Sequence, residues 1–218
     1  PKPGQLFFSR SEEIVEHTFD CLCKNDTPDI VLISGDLTYN GERTSHDEMK
    51  AALKKLQQKG KRVYVITATH DYTTPRMPTY GIDKNDKYIE VESVNRTQLL
   101  KYYGDFGYNN AIAKHKSTMS YVAQLADGYR LFALNDDYGD PDCGFSDELM
   151  NWVKTEANNA KRDGQYIIAM THHPLVPPSP IYAAVAKGDM LNEYELRRNQ
   201  LSDLGFDFVL TGHTHMHN

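Results

Sequence analysis

Apolar positions along the chain fall into two rhythms. Residues 29–34 (Asp-Ile-Val-Leu-Ile-Ser) and 166–170 (Tyr-Ile-Ile-Ala-Met) are short continuous apolar runs rich in β-branched residues, as expected of strands buried on both faces. Residues 62–67 and 206–210 read as two further strands. Between them the period changes to that of a helix. Ser9 with Glu12 reads as a capping box ahead of Ile14, Val15, Phe19 and Leu22, which predicts a first helix over about residues 10–24. Ser45 with Glu48 precedes Met49, Ala52, Leu53 and Leu56, with a stop at Gly60. Ser146 is placed to cap a helix carrying Leu149, Trp152, Val153 and Ala157, and Asn192 with Glu195 opens one that ends at Gly205.

Residues 29–67 thus form a strand, helix, strand unit with parallel strands and a right-handed crossover. Residues 97–103 read as a short helix, and 120–125 with 129–134 as a hairpin turning at Asp127-Gly128. Residues 72–95, with Pro75, Pro78 and Gly81, lack periodicity and read as a long loop of the kind that often carries function. The expected fold class is α/β, a single layered domain of largely parallel buried strands flanked by helices, with a local hairpin.

Composition narrows the classes of function. The 218 residues suffice for a sizeable core, and 39% hydrophobic with 25% charged residues fits neither disorder nor a coiled coil. A formal net charge of −6, with no Lys/Arg cluster, disfavours nucleic acid except as a substrate. No apolar run approaches the ~20 residues that span a bilayer. Cys21, Cys23 and Cys143 are too few for a disulfide framework and read as isolated thiols.

The chemistry gathers where the strands end. The runs exit into Gly35-Asp36, Ala68-Thr69-His70-Asp71, Thr171-His172-His173-Pro174 and Gly212-His213-Thr214-His215. Ligands of open α/β sheets lie beyond the carboxyl ends of parallel strands, so the exits are expected to meet at one rim. His17, His46, His115 and His217 fall elsewhere and read as surface or capping residues. Imidazole and carboxylate without thiolate suit Zn, Mn, Fe or Ni in a catalytic site better than a structural zinc site. A pair of divalent ions held mainly by neutral imidazoles leaves a positive spot that attracts phosphate esters.

In this order the motifs resemble those of the calcineurin-like metallophosphoesterases, over about residues 29–215. The resemblance implies a β-sandwich flanked by helices, two divalent metal ions, and hydrolysis of small-molecule phosphomonoesters or phosphodiesters. It implies that Asp36 bridges the metals, that His172 and His213 hold the second metal and His215 the first, and that His70 serves the leaving group, with Asp71 as the candidate to hold the His70 ring. Thr69 stands where the family has an asparagine ligand, and Ala68 where it has glycine. The family's opening Asp-x-His motif does not occur in residues 1–28, which would deprive the first metal of two ligands. The expectation is a domain incomplete at both ends and lacking its first strand; the alternative is a degenerate, non-catalytic binding module of the same fold. His213, His215 and His217 also imitate the His-x-His opening of metallo-β-lactamase-like sites, but the following Asp-His is absent.

Overall fold

The computed structural model describes residues 11–24, 26–75, 77–82, 87–137 and 143–215. Two β layers face each other with helices on both outer sides. Strands β1 (Ile30–Ser34) and β2 (Arg62–Ile66) pair in parallel, Ile30 opposite Arg62, with α2 (Arg43–Gln58) as their crossover. The second sheet has five strands in chain order: β5 (Ala113–His115), β6 (Ser120–Ala126), β7 (Tyr129–Ala133), β8 (Tyr166–Met170) and β9 (Phe208–Leu210). Its β5–β6–β7 half is antiparallel and its β7–β8–β9 half parallel. Helices α1 (Ser11–Leu22), α2 and α3 (Leu99–Tyr103) belong to the β1–β2 side; α4 (Asp147–Arg162) and α6 (Tyr194–Asp203) cover the five-stranded sheet. Among the described residues no helix is long and apolar enough to cross a membrane.

Three apolar clusters hold these layers. Leu53 and Leu56 of α2 pack with Val63 and Val65; Leu149, Val153 and Ala157 of α4 pack with Ile167 and Ala169. Ile66, Tyr121, Leu131, Ala133 and Met170 fill the space between the sheets. That arrangement explains the continuous apolar runs, since a strand between a helix layer and a sheet layer buries both faces. β1 is an exception in degree: all five residues are only half-buried, and β2 is its sole strand partner among the described residues.

Helix ends follow local chemistry. Ser146 accepts the Leu149 N–H as the N-cap of α4. α2, α4 and α6 close in the same way: the N–H groups of Gly60, Gly164 and Gly205 reach Gln57, Lys161 and Ser202, and those of Lys61, Gln165 and Phe206 reach Leu56, Ala160 and Leu201. Two expected caps are corrected. α2 begins at Arg43 with Glu42 before it, not at Ser45, because the Glu42 carboxylate accepts the Tyr39 and Asn40 N–H groups and fixes the turn ahead of the helix. α6 follows Glu193 rather than Asn192. The Ser9 cap lies outside the described residues, and Ile14 and Val15 of α1 face solvent.

The expected loop 72–95 contains a small hairpin of β3 (Gly81–Ile82) and β4 (Tyr88–Ile89), each too short to show alternation. The remaining short helix, α5 (Pro180–Val185), is capped by Ser179. His46 and His115 are buried rather than surface residues. His46 bridges Tyr103 Oη at 2.6 Å and the Asp71 carbonyl at 3.0 Å, tying α2 and α3 to the turn that carries His70.

Candidate metal centre

β1 and β2 deliver Asp36 and His70 from one sheet; β8 and β9 deliver His172, His173 and His213 from the other. The site therefore sits at the seam between the layers. Both motif glycines permit close backbone approach. Gly35 has φ +93°, and a Cβ there would lie 2.6 Å from Ala68 Cβ; a Cβ at Gly212 would lie 2.7 Å from Ser34 Oγ. Asp36, His213 and His215 all take left-handed φ values of 55°, 67° and 53°. For non-glycine residues this costs about 1–2 kcal/mol each, a pattern concentrated at functional sites.

The central contacts are short. His172 Nε2 lies 3.1 Å from Asp36 Oδ2 and 3.2 Å from His213 Nδ1. His172 Nδ1 lies 2.7 Å from the Ser34 carbonyl, which can only accept, so Nδ1 carries a proton and Nε2 is the nitrogen turned to the site, free to ligate once deprotonated. Ligating atoms of His172, His173 and His213 all lie within 4.8 Å of one another, making a compact group of metal-capable side chains. Ligands about 2.1 Å from a tetrahedral ion are roughly 3.4 Å apart, so the 3.1 and 3.2 Å separations about His172 Nε2 fit a divalent cation with borderline nitrogen and hard oxygen donors.

Asp136 organises one side of this group. Its buried Oδ2 accepts from Thr171 Oγ1 at 2.7 Å and from the His172 and His173 N–H groups at 3.1 and 2.7 Å. Its Oδ1 lies 3.1 Å from His173 Nδ1. Burial alone would lower the His173 pKa, but the bonds to Asp136 and Cys143 outweigh it and raise it to about 10. His172 is raised as well, because Asp36 beside it overcomes its own desolvation. His213 goes the other way, down to about 4, through burial and the neighbouring positive His173 and His172.

Asp71 is corrected in role. Its fully buried carboxylate accepts the Asp36, Leu37, Thr38 and Ala68 N–H groups at 2.6–3.1 Å, pinning the loop that aims Asp36. The His70 ring is held instead by the Tyr39 carbonyl and by Asn40 Oδ1, 3.2 Å from Nδ1. The His70 N–H reaches Asp36 Oδ1 at 3.2 Å, which keeps it beside the cluster. Thr69 is half-buried in the same turn, and His215 is exposed and outside the compact histidine group. The sequence reading missed Asp136. The signal was present: Asn135-Asp136-Asp137 follows β7, which runs parallel to β8 and so exits at the same rim.

Fold and site together define a metal-dependent phosphoesterase class. A model of the calcineurin-like phosphoesterase family matches residues 8–217, and the chain belongs to that family. Among solved structures, a dimetal phosphatase from Danio rerio is similar in fold, with a TM-score of 0.64 and 12% identity, covering 97% of this chain and 76% of that one. No curated protein matches the chain.

Proposed function

We propose that the chain hydrolyses phosphate monoesters or diesters at the seam, with divalent cations held by Asp36, His172 and His213, and with His173 closing the group. The observation that carries this reading is the contact of Asp36, from one sheet, with His172 Nε2 from the other, which also lies against His213 Nδ1. Thr69, in the turn beside Asp36, and His215, after β9, would be the further candidate donors. When bound, a divalent cation supplies Lewis-acid stabilisation of charge on the phosphoryl oxygens.

The chain's own groups do the rest. His70 Nδ1 faces a carbonyl acceptor, so Nδ1 bears a proton and Nε2 is the atom that holds and delivers one to the departing oxygen. Tyr39 and Asn40 fix the ring for that transfer. The test is hydrolysis of p-nitrophenyl phosphate and bis(p-nitrophenyl) phosphate by protein loaded with Mn²⁺ or Zn²⁺. His213→Ala and His172→Ala are expected to lose metal and activity together, and His70→Ala to lose activity while keeping metal. Undiminished hydrolysis in the first two variants would refute the assignment.

A metal-binding module without turnover is the second reading, favoured by the exposed position of His215 outside the group. Metal uptake with no hydrolysis of either ester would select it.

A further inference from the structure

From His70 a chain of aromatic contacts continues through the loop after β1 and the 72–95 segment. Tyr39 stacks on the His70 ring at 5.9 Å between centroids and 28° between planes. Tyr80 meets Tyr39 edge-on at 6.4 Å, and Tyr88 meets Tyr80 edge-on at 4.6 Å. The row starts at the residue assigned to the leaving group.

The row is also held in place. Glu42 pins the Tyr39 and Asn40 N–H groups, Thr79 Oγ1 donates to the Asn40 carbonyl, and Val94 N donates to the Gly41 carbonyl at 2.8 Å. These bonds fasten Thr79 and Val94 to the loop after Asp36, and the β3–β4 pairing brings Tyr88 near Tyr80. Tyr39 is nevertheless 43% exposed and Tyr88 66% exposed. Mutual packing would account for the edges in contact. It does not account for large aromatic side chains kept half in water in a row that begins at a reacting group, where a flat ring could stack at little entropic cost.

We propose that Tyr39, Tyr80 and Tyr88 form an aromatic ledge that binds a planar aromatic group on the leaving side of the substrate. The inference rests on the phosphoesterase reading and adds a substrate class to it: esters whose departing oxygen carries an aryl group or, farther out, a heteroaromatic base. The spacing at His70 leaves no slot between rings, so the ligand stacks on the exposed faces rather than intercalating.

The experiment measures affinities of Mn²⁺-loaded protein for phenylphosphonate, methylphosphonate and the non-hydrolysable phosphonate analogue of adenosine monophosphate by calorimetry. The expected result is a preference for the aromatic phosphonates over methylphosphonate of roughly five- to tenfold, as one aromatic contact supplies. Tyr39→Leu and Tyr88→Leu should reduce that ratio to near one. Tyr129→Leu, in a stacked tyrosine pair at the other end of β7, should leave it unchanged. Tighter binding of the nucleoside analogue than of phenylphosphonate assigns the ledge to a base rather than an aryl ester. Equal affinities in the native protein, or a ratio that survives both ledge substitutions, overturn the ledge while leaving the phosphoesterase reading intact. Binding of none of the three overturns both.

Discussion

Asp136 shows how one buried carboxylate sets the properties of neighbouring ligands. Its two oxygens do different things: Oδ2 gathers donors from Thr171, His172 and His173, and Oδ1 holds the His173 ring. Asp136→Asn can keep the first role through its carbonyl but presents an NH₂ group to His173 Nδ1. The ring must then reverse its tautomer, and its pKa loses the support of Asp136 against burial. We predict that the His173 titration falls well below about 10, with the Cys143 bond the remaining influence that raises it, followed by NMR, and that metal affinity falls about 10–100-fold. His172 gives a second prediction. Its pKa is raised by Asp36, and a coordinated nitrogen carries no proton, so cation binding must expel one. Mn²⁺ or Zn²⁺ affinity should therefore rise with pH from slightly acid conditions until His172 is deprotonated in the free protein. A flat dependence, measured by calorimetry, would contradict the pairing. Asp36, His172 and His213 were legible in the sequence because each follows an apolar run directly. Asp136 was not, because Asn-Asp-Asp after a hairpin strand looks like an ordinary polar turn.

Elements were legible in proportion to their length. α4 repeats an apolar period several times and stops at Gly164, and the strands of the parallel units stand out as continuous apolar runs. β3, β4 and β5 have two or three residues each, too few for any period, and they exist through tertiary pairing alone. The difference extends to energetics. Ser146→Ala removes the acceptor of the Leu149 N–H at the start of a helix that buries Leu149, Met150, Val153, Ala157 and Ala160. It should cost about 1 kcal/mol in urea denaturation without altering metal affinity, since α4 lies on the outer side of its sheet. Glu42→Ala should behave oppositely. Its carboxylate serves the Tyr39–Asn40 turn that holds the His70 ring, so its loss is expected to lower turnover more than stability.

At the scale of the whole molecule, the site exists only while two sheets stay in register across an apolar seam. Tyr121 makes the connection explicit. It is almost fully buried, and its hydroxyl donates to the Val65 carbonyl at 3.0 Å while accepting the Val65 N–H at 3.1 Å. A strand of one sheet thus terminates the open edge of a strand in the other. Tyr121→Phe leaves the Val65 N–H with the Phe106 carbonyl at 3.0 Å but orphans the Val65 carbonyl, for a loss of about 1–3 kcal/mol. The cation would act on the same seam from its rim, because Asp36 belongs to one layer and His172 and His213 to the other. Bound metal stabilises the folded state by about 2.7 kcal/mol at a hundredfold excess over its Kd. Saturating Mn²⁺ or Zn²⁺ should therefore raise the Tm of the native protein and recover most of the stability lost in Tyr121→Phe. Chelator should remove that gain, and Asp36→Ala, which withdraws one layer's ligand, should abolish it. A metal-induced rise in Tm that persists in Asp36→Ala would mean that the cation binds within one sheet and does not join the two.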